Sequence, residues 1–306
     1  MARHVHLPLL AKLKQHFTIT AVCDAQPGYA DEVARGLGLP DSAVFVDAVS
    51  LFDRGGFDAV LLLTSGSHAA LAAEALRRGY AVFCEKPLGH TLEEAGLVRQ
   101  AGDRLMLGYL KQYDPAVTGV LEKLDPESVR HIDVSVLHPP ERFPETGWVP
   151  VASPGPRHVG RRRHWEYRAL LDSVCHDIAL IRLLGGGLEL DVDAAFSWGA
   201  RDGESGSLEF SGPLSHGRYT VRWHFLPDYP EYEEHVRVHT EYGSHDLSFG
   251  NPYFFGDDSG FERELLAFHA LVSKGTPPLS GIAEGTADIR TALTVLDALG
   301  NTGKSA

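Results

Sequence analysis

A glutamate, a lysine and a proline follow one another at Glu85, Lys86 and Pro87, directly after an apolar run, residues 81–84, that predicts a buried strand. In a doubly wound sheet, ligands bind beyond the carboxyl ends of the strands, so we expect the charged pair to project into a cleft. Proline restricts the residue before it to extended backbone geometry. A lysine in this place suits acid/base chemistry at a substrate hydroxyl, whereas an isolated tripeptide of this kind is more often a surface ion pair.

An aspartate and a histidine, Asp172 and His176, are four positions apart in a stretch, residues 169–184, that predicts a helix. This spacing puts both side chains on one helical face, where a carboxylate can orient an imidazole and stabilise its protonated form. Such a pair can carry the proton of an alcohol that becomes a ketone. An aspartate that interacts with the helix dipole, beside a structural histidine, is an equally good interpretation.

Polar residues at two further strand ends could bind a nucleotide. Asp24 follows the apolar run 17–23, and an acidic residue there bonds the adenosine ribose and repels a 2'-phosphate. The next three residues contain no arginine, which favours NAD over NADP. Thr64, Ser65 and His68 form a turn into a predicted helix, suited to a pyrophosphate or a ribose. Asp24 could equally be an ordinary turn residue, and the second group a plain helix cap.

Short apolar runs alternate with helical stretches through the first third of the chain, which predicts βαβ units and a parallel sheet. The predicted strands are residues 17–23, 43–46, 58–63, 81–84 and 104–109. We expect the runs 17–23 and 58–63 to be buried, and a capping box to open the helix at Thr91. The pattern changes near Lys111. We therefore predict a Rossmann-like domain over residues 1–110 and a second domain over residues 111–306.

Alternating polar and apolar residues dominate the second domain and predict an α+β unit with an open, mostly antiparallel sheet that has one solvated face. The predicted strands are residues 129–137, 190–198, 207–210, 218–225, 235–240 and 244–249. Helices are predicted at residues 115–124, 169–184, 261–274 and 283–299. A loop rich in proline, glycine and arginine, residues 139–164, is a plausible lid, and its three successive arginines are most simply solvated.

Composition excludes several classes of function. The 306 residues carry 28 basic and 41 acidic side chains, a formal net charge of -13, which argues against nucleic-acid binding and against a polybasic membrane-surface protein. No apolar run approaches the roughly 20 residues of a spanning helix, so we expect a cytoplasmic protein. The 3 cysteines indicate neither a disulfide framework nor a zinc site. The 16 histidines, densest at His235, His239 and His245, match no metal-ligand pattern.

The order and spacing of these motifs resemble the glucose-fructose oxidoreductase and inositol dehydrogenase family, also written Gfo/Idh/MocA. The similarity extends over nearly the whole chain. The segments that carry it are residues 64–68, 79–87, 108–115, 170–177, 261–268 and 275–278.

The resemblance implies an N-terminal Rossmann domain and a C-terminal α/β domain whose open sheet often forms homo-oligomers. It also implies NAD(P)-dependent oxidation or reduction at a hydroxyl or ketone carbon of a sugar, a cyclitol or a related small molecule. Lys86 would contact the substrate hydroxyl and the nicotinamide ribose, and His176 would be the acid/base. Asp172 would hold the substrate or orient the histidine. The residues expected at the cofactor are Asp24, Thr64, Ser65, His68, Glu85 and Lys86.

The beginning of the sequence departs from the family pattern. Family members open with a strand and a G-x-G-x-x-G type turn before a segment that resembles residues 3–10, whereas Met1 stands at that segment here. The first strand lies in the middle of the sheet in the order 3-2-1-4-5-6, so without it two ladder edges would be exposed. The true start could lie upstream, the gap could be natural and closed by rearrangement, or a partner chain could donate a strand.

The last two explanations make ordinary dinucleotide binding doubtful and support an alternative function. Lys86 and His176 would then perform redox-neutral acid/base chemistry, such as cyclisation, elimination or epimerisation, or the chain would be a non-catalytic binding subunit. Asp24 favours NAD(H), and the absent turn favours the alternative without a cofactor.

Overall fold

The computed structural model describes residues 2–26, 28–139, 161–199, 206–226, 229–250 and 260–302. The first third of the chain contains parallel strands, which are β1 (Val22–Cys23), β2 (Val44–Phe45), β3 (Ala59–Leu62), β4 (Ala81–Cys84) and β5 (Leu105–Leu107). β1 pairs with β2, and β3, β4 and β5 form a second ladder in that order. Within the described residues no ladder joins β1 to β3. The predicted Rossmann-like parallel arrangement is confirmed.

Helices connect these strands in the βαβ manner. They are α1 (Leu7–Lys12), α2 (Tyr29–Leu37), α3 (Ala48–Arg54), α4 (Ala69–Arg77) and α5 (Leu92–Ala101). A π-helical turn, Ala2–His6, precedes α1. The predicted capping box of α5 is confirmed, because the Thr91 hydroxyl accepts from the Glu94 N–H at 3.1 Å and the Glu94 carboxylate accepts from the Thr91 N–H at 3.2 Å. α2 ends at Gly38, whose φ of 69° favours glycine.

The sequence predictions overestimated the length of the first strand and the burial of two strands. Of residues 17–23, only Val22–Cys23 form a strand, and β1 is half-buried. The run 58–63 was expected to be fully buried, but residues of β3 alternate between buried and half-buried. Among the described residues, each of these strands forms a ladder with a neighbour on one side, so its other edge lacks a strand partner there. β4 lies between β3 and β5, and all four of its residues are buried.

A six-stranded sheet follows, in the order β11-β10-β6-β9-β8-β7. Its strands are β6 (Val129–His138), β7 (Ala194–Gly199), β8 (Gly206–Pro213), β9 (Arg218–Phe225), β10 (Glu233–Thr240) and β11 (Gly243–Phe249). β6 and β9 are parallel, whereas the other neighbours are antiparallel. The mostly antiparallel open sheet is therefore confirmed.

The remaining helices are α6 (Pro115–Leu121), α7 (Arg161–Arg168), α8 (Cys175–Gly185), α9 (Gly260–Lys274) and α10 (Ile282–Thr302). The single helix predicted over residues 169–184 is divided, because Ala169–Val174 is π-helical and α8 begins at Cys175. Of the predicted lid, residues 140–160 lie outside the described residues. The three arginines that were assigned to that loop instead begin α7.

The last two helices return to the first sheet. Phe268 and Leu271 of α9 pack with Phe83 and Met106 of the parallel strands. Ile289 of α10 belongs to a second cluster on the same sheet, which also includes residues of α8. The other side of α8 and α10 covers one face of the six-stranded sheet. The domain boundary near residue 110 remains a prediction, and the hydrophobic clusters extend across it.

Candidate active site

Lys86 and the segment before α8 meet at the carboxyl end of β4. The ammonium of Lys86 donates to the backbone carbonyl of Asp172. Asp172 lies within the π-helical segment Ala169–Val174, and such departures from α-helical hydrogen bonding are frequent at functional sites. The Trp223 indole of β9 donates to the Ser173 hydroxyl at 3.0 Å, so a strand of the six-stranded sheet holds this segment. The structure therefore brings Lys86 and the backbone of Asp172 together, and their catalytic roles remain predictions.

His176 stands in the first turn of α8 beside this pair. Its imidazole is half-buried, and its Nδ1 atom is buried with no hydrogen-bond partner among the described residues. The ring of Tyr109 meets it edge-on at a centroid distance of 5.8 Å. Burial lowers the pKa of His176 well below its usual value, and the charges of Lys86 and Lys111 lower it further. The imidazole is therefore neutral at neutral pH and can accept a proton.

The predicted interaction between Asp172 and His176 is not formed. No hydrogen bond joins their side chains in the described part of the chain, and the Asp172 carboxylate lies 3.7 Å from Nε of Arg168. A π-helical turn contains more residues than an α-helical one, so positions four apart across its end are no longer stacked. The expectation that Asp172 stabilises a protonated imidazole was therefore wrong, since the pKa of His176 shifts in the opposite direction because of burial.

A buried cluster of charges fixes the beginning of α8. Lys111 donates to the carboxylates of Asp177 at 2.9 Å and of Glu234 at 2.7 Å, and Tyr232 donates to Glu234 at 2.6 Å. Burial raises the pKa of Asp177 to about 7, with Lys111 opposing and Glu234 assisting the shift. The residue next to His176 is thereby tied to β10. This cluster has no signal in the sequence, because nothing along the chain pairs Lys111 with Glu234.

A second buried network anchors α8 further along. Arg182 donates to Asp288 of α10 at 2.9 Å and to the hydroxyl of Ser280 at 2.7 Å. That hydroxyl in turn donates to the side-chain oxygen of Gln112 at 2.8 Å. These groups connect α8 to α10 and to the turn after β5. The first turn and the middle of the helix that carries His176 are therefore fixed by buried polar contacts.

The predicted cofactor residues fall into two groups, and the first is exposed. Asp24 follows β1, and its Oδ1 accepts from the backbone N–H of Gln26 at 2.8 Å. Thr64 and Ser65 follow β3 and are exposed. All three lie where the sequence places them, at the carboxyl ends of parallel strands. Their roles at a cofactor remain predictions.

The second group points away from solvent. His68 is 1 % exposed, and its ring bridges the carbonyl oxygens of Thr64 and Pro87, each at 2.8 Å. The imidazole therefore joins the loop after β3 to the loop after β4. The expectation that the His68 side chain contacts a cofactor does not fit this placement, because both ring nitrogens already have partners.

Glu85 also differs from the expectation that it projects into a cleft with Lys86. Its carboxylate is buried and lies 2.7 Å from Nε2 of His6, a residue of the π-helical turn before α1. The two neighbours therefore diverge, Lys86 toward the π-helical segment and Glu85 toward the interior. The side-chain direction at a strand end depends on the strand's register, which the tripeptide alone does not reveal.

Among the residues described, no group of three or more histidine, cysteine, aspartate or glutamate side chains is arranged to hold a metal ion. None of the helices searched is long and apolar enough to cross a membrane. Cys175, beside His176, is buried, which raises the pKa of its thiol to about 12 and keeps it from acting as a nucleophile at neutral pH.

Comparison with known sequences identifies similar proteins for part of the chain. Residues 1–109 match the GFO_IDH_MocA family, described as an oxidoreductase family with an NAD-binding Rossmann fold. A scyllo-inositol 2-dehydrogenase (NAD(+)) of Bacillus subtilis is 30% identical over 112 residues, 35% of this chain and 32% of that protein. Inositol 2-dehydrogenase 1 of Saccharopolyspora erythraea is 33% identical over 118 residues, 36% of this chain and 34% of that protein. The matched region thus spans about a third of each relative's length.

Solved structures resemble the chain over almost its full length. A probable dehydrogenase from Thermotoga maritima superposes with a TM-score of 0.73 at 17% identity, covering 97% of this chain and 94% of that one. Scyllo-inositol dehydrogenase from Lactobacillus casei, with bound NAD(H) and scyllo-inositol, superposes with a TM-score of 0.70 at 17% identity, covering 94% and 91%. At this identity the likeness establishes the fold alone.

Proposed function

We propose that this chain, whose residues 1–109 match the Gfo/Idh/MocA oxidoreductase family, is an NAD-dependent dehydrogenase of a small polyol, a cyclitol or a related sugar. The reaction interconverts a hydroxyl carbon and a ketone. The observation that carries this proposal is the meeting of the Lys86 ammonium with the π-helical segment, beside a neutral His176. In the oxidation of an alcohol, a neutral base can accept the hydroxyl proton and a cation can stabilise the charge on the oxygen, while the hydride leaves to the nicotinamide cofactor.

The exposed residues fit the two ends of NAD. Asp24 is exposed after β1, and its Oδ1 is the oxygen that accepts from Gln26, so the other oxygen can bond an adenosine ribose. Thr64 and Ser65 offer exposed hydroxyls after β3, and Lys86 lies after β4. When bound, NAD supplies the hydride acceptor. The absence of an arginine beside Asp24 favours NAD over NADP.

Three side chains would act on the substrate in this reaction. The imidazole of His176 accepts the hydroxyl proton of the substrate, because burial keeps it neutral. The ammonium of Lys86 turns from the Asp172 carbonyl to the substrate oxygen and stabilises the negative charge that develops there. The half-buried carboxylate of Asp172 bonds a second hydroxyl of the polyol.

We also propose that copies of the chain associate through the six-stranded sheet. Helices α8 and α10 cover one face of this sheet. The other face presents Phe196 and Trp198 of the edge strand β7, which are 53% and 51% exposed. Two exposed aromatic side chains next to each other on one face suit a contact between two copies.

Titration of the purified chain with NADH, followed by nicotinamide fluorescence, tests the cofactor. Assays with NAD and myo-inositol or scyllo-inositol test the reaction. We expect His176→Asn and Lys86→Ala each to lower kcat by roughly 10²- to 10⁴-fold with the fold intact. Tyr242→Ser, at a side chain that is 82% exposed, is the control and should leave kcat unchanged. No binding at millimolar NADH would contradict the proposal, and turnover without any nucleotide would support redox-neutral chemistry instead.

A further inference from the structure

We propose that His6 is a positioning residue for Lys86 and acts on it through Glu85. His6 is carried by the π-helical turn before α1 and is completely buried. Its Nε2 lies 2.7 Å from Oε1 of Glu85. The inference rests on the proposed function, because it assigns a task in that reaction to a residue on the first helical segment of the chain.

The carboxylate of Glu85 connects His6 to the backbone of the lysine. One oxygen contacts His6, and the other accepts from the backbone N–H of Lys86 at 3.3 Å. The backbone N–H of Glu85 donates to the backbone carbonyl of Leu62 at 3.0 Å, and this bond holds the end of β4 on β3. The position of the Glu85 side chain therefore determines where the backbone of Lys86 lies, and so where its ammonium can reach.

His6 is itself held without freedom to turn. Its ring meets the ring of Phe83 at 5.5 Å and that of Phe261 at 6.0 Å, both edge-on. Phe83 belongs to β4 and Phe261 to α9, so the imidazole is enclosed between the sheet and a helix near the end of the chain. An imidazole fixed on two sides can hold its partner carboxylate in one place.

The charges around Glu85 make its pairing with His6 necessary. Although burial opposes its ionisation, the hydrogen bond and charge of His6, with the charges of Lys86 and His68, keep the pKa of Glu85 below its usual value. Glu264 of α9 is the other carboxyl nearby. Burial, and then the charge of Glu85, raises the pKa of Glu264 well above its usual value, so it is neutral. Of these two neighbouring carboxyl groups, Glu85 is therefore the ionised one. His6 is its side-chain hydrogen-bond partner in the described residues.

Loss of the His6 donor would release this carboxylate. A buried carboxylate without its partner either takes up a proton or moves toward another donor, and both changes shift Lys86. A displacement of about 1 Å at a group that contacts substrate can lower the rate about 10²-fold. Because Lys86 acts mainly as charge develops on the substrate oxygen, the loss should fall on kcat more than on KM.

The test compares His6→Leu with His6→Gln. Leucine removes the donor, whereas the glutamine amide can present an N–H near the place of Nε2. We expect His6→Leu to lower kcat by about 10- to 100-fold with KM changed less than about threefold, and His6→Gln to recover most of kcat. The matched control is His16→Leu, at an exposed histidine of the same N-terminal segment, which should keep the wild-type kcat.

A second readout does not depend on turnover. The rate at which acetic anhydride acylates Lys86 can be measured by peptide mass spectrometry. This rate should rise several-fold in His6→Leu, because the lysine side chain is then released from Asp172. In His6→Gln the rate should return to that of the wild type. Equal acylation rates in wild type and His6→Leu, or an equal loss of kcat in both His6 variants, would overturn the positioning role. An inactive wild type and an inactive His16→Leu would instead show that the proposed function has failed, and the role of His6 with it.

Discussion

Two positively charged side chains lie close enough to His176 to weaken its affinity for a proton. Burial is the larger cause of its lowered pKa, and Lys86 and Lys111 add to it. Lys111 is neutralised by two carboxylates, whereas Lys86 contacts a backbone carbonyl. In the proposed reaction the charge of Lys86 therefore has two tasks, because it lowers the proton affinity of His176 and stabilises the charge on the substrate oxygen.

Removal of this charge should raise the pKa of His176. In Lys86→Met, burial still favours the neutral imidazole, but one repelling cation is lost, so the midpoint moves up toward the usual value of about 6.5. The measurement is an NMR titration of the histidine ring protons in both proteins, with His176→Asn to assign the signal. An unchanged midpoint, or a lower one, would show that Lys86 does not act on the imidazole.

Helix α8 is the element on which the site depends. The Lys111 cluster holds its first turn on β10, and the Arg182 network holds its middle on α10. The π-helical segment before it presents a carbonyl to Lys86. The helix thus joins both sheets. Removal of a charge from either network should therefore lower the unfolding free energy of the whole protein.

Lys111→Met should show this effect, because it leaves Asp177 and Glu234 buried without their cation. We expect a loss of about 3–5 kcal/mol of unfolding free energy near pH 8. The loss should be smaller near pH 5, because burial raises the pKa of Asp177 and the variant lacks the opposing charge of Lys111. The folded variant then binds more protons than the unfolded chain as the pH falls toward about 4.

Urea denaturation at the two pH values measures this difference. Lys12→Met provides the matched control, since Lys12 forms a partly exposed pair with Glu262 at 2.7 Å and should cost less than about 1 kcal/mol. A loss in Lys111→Met that grows as the pH falls would contradict the assignment.

The sequence predicts elements well where local chemistry decides the structure. The apolar run of β4 and the capping residues Thr91 and Glu94 carry their own signals, and both features are confirmed. The half-burial of β3, the π-helical segment before α8 and the inward direction of Glu85 were not predictable. These three features depend on which strand lies alongside in the sheet or on the register of packing. A short window of sequence contains neither kind of information.

The molecule as a whole presents a polar sheet face with an aromatic edge. Ion pairs between neighbouring strands, such as Arg222 with Asp133 at 2.7 Å, cover its middle, and Phe196 and Trp198 lie at β7. The formal net charge of -13 opposes association of two copies, so a contact should be centred on the aromatic edge and should strengthen with added salt.

Trp198→Lys should weaken this association, because it adds a charge at the centre of the proposed contact. Light scattering coupled to size-exclusion chromatography measures the mass, and we expect an oligomer for the wild type and a monomer for the variant. Tyr242→Lys, at an exposed side chain in the turn between β10 and β11, is the control and should remain oligomeric. A monomeric wild type would refute the association.

The return of α9 to the first sheet has a consequence during protein synthesis. Leu10 and Leu13 of the N-terminal segment pack against Leu265, and Phe83 packs against Phe268. The parallel strands therefore leave the ribosome long before the residues that complete their core. Contacts this distant in the chain slow folding, and the unfinished sheet exposes apolar surface in the interval. The nascent chain should thus need protection by chaperones until the last helices emerge.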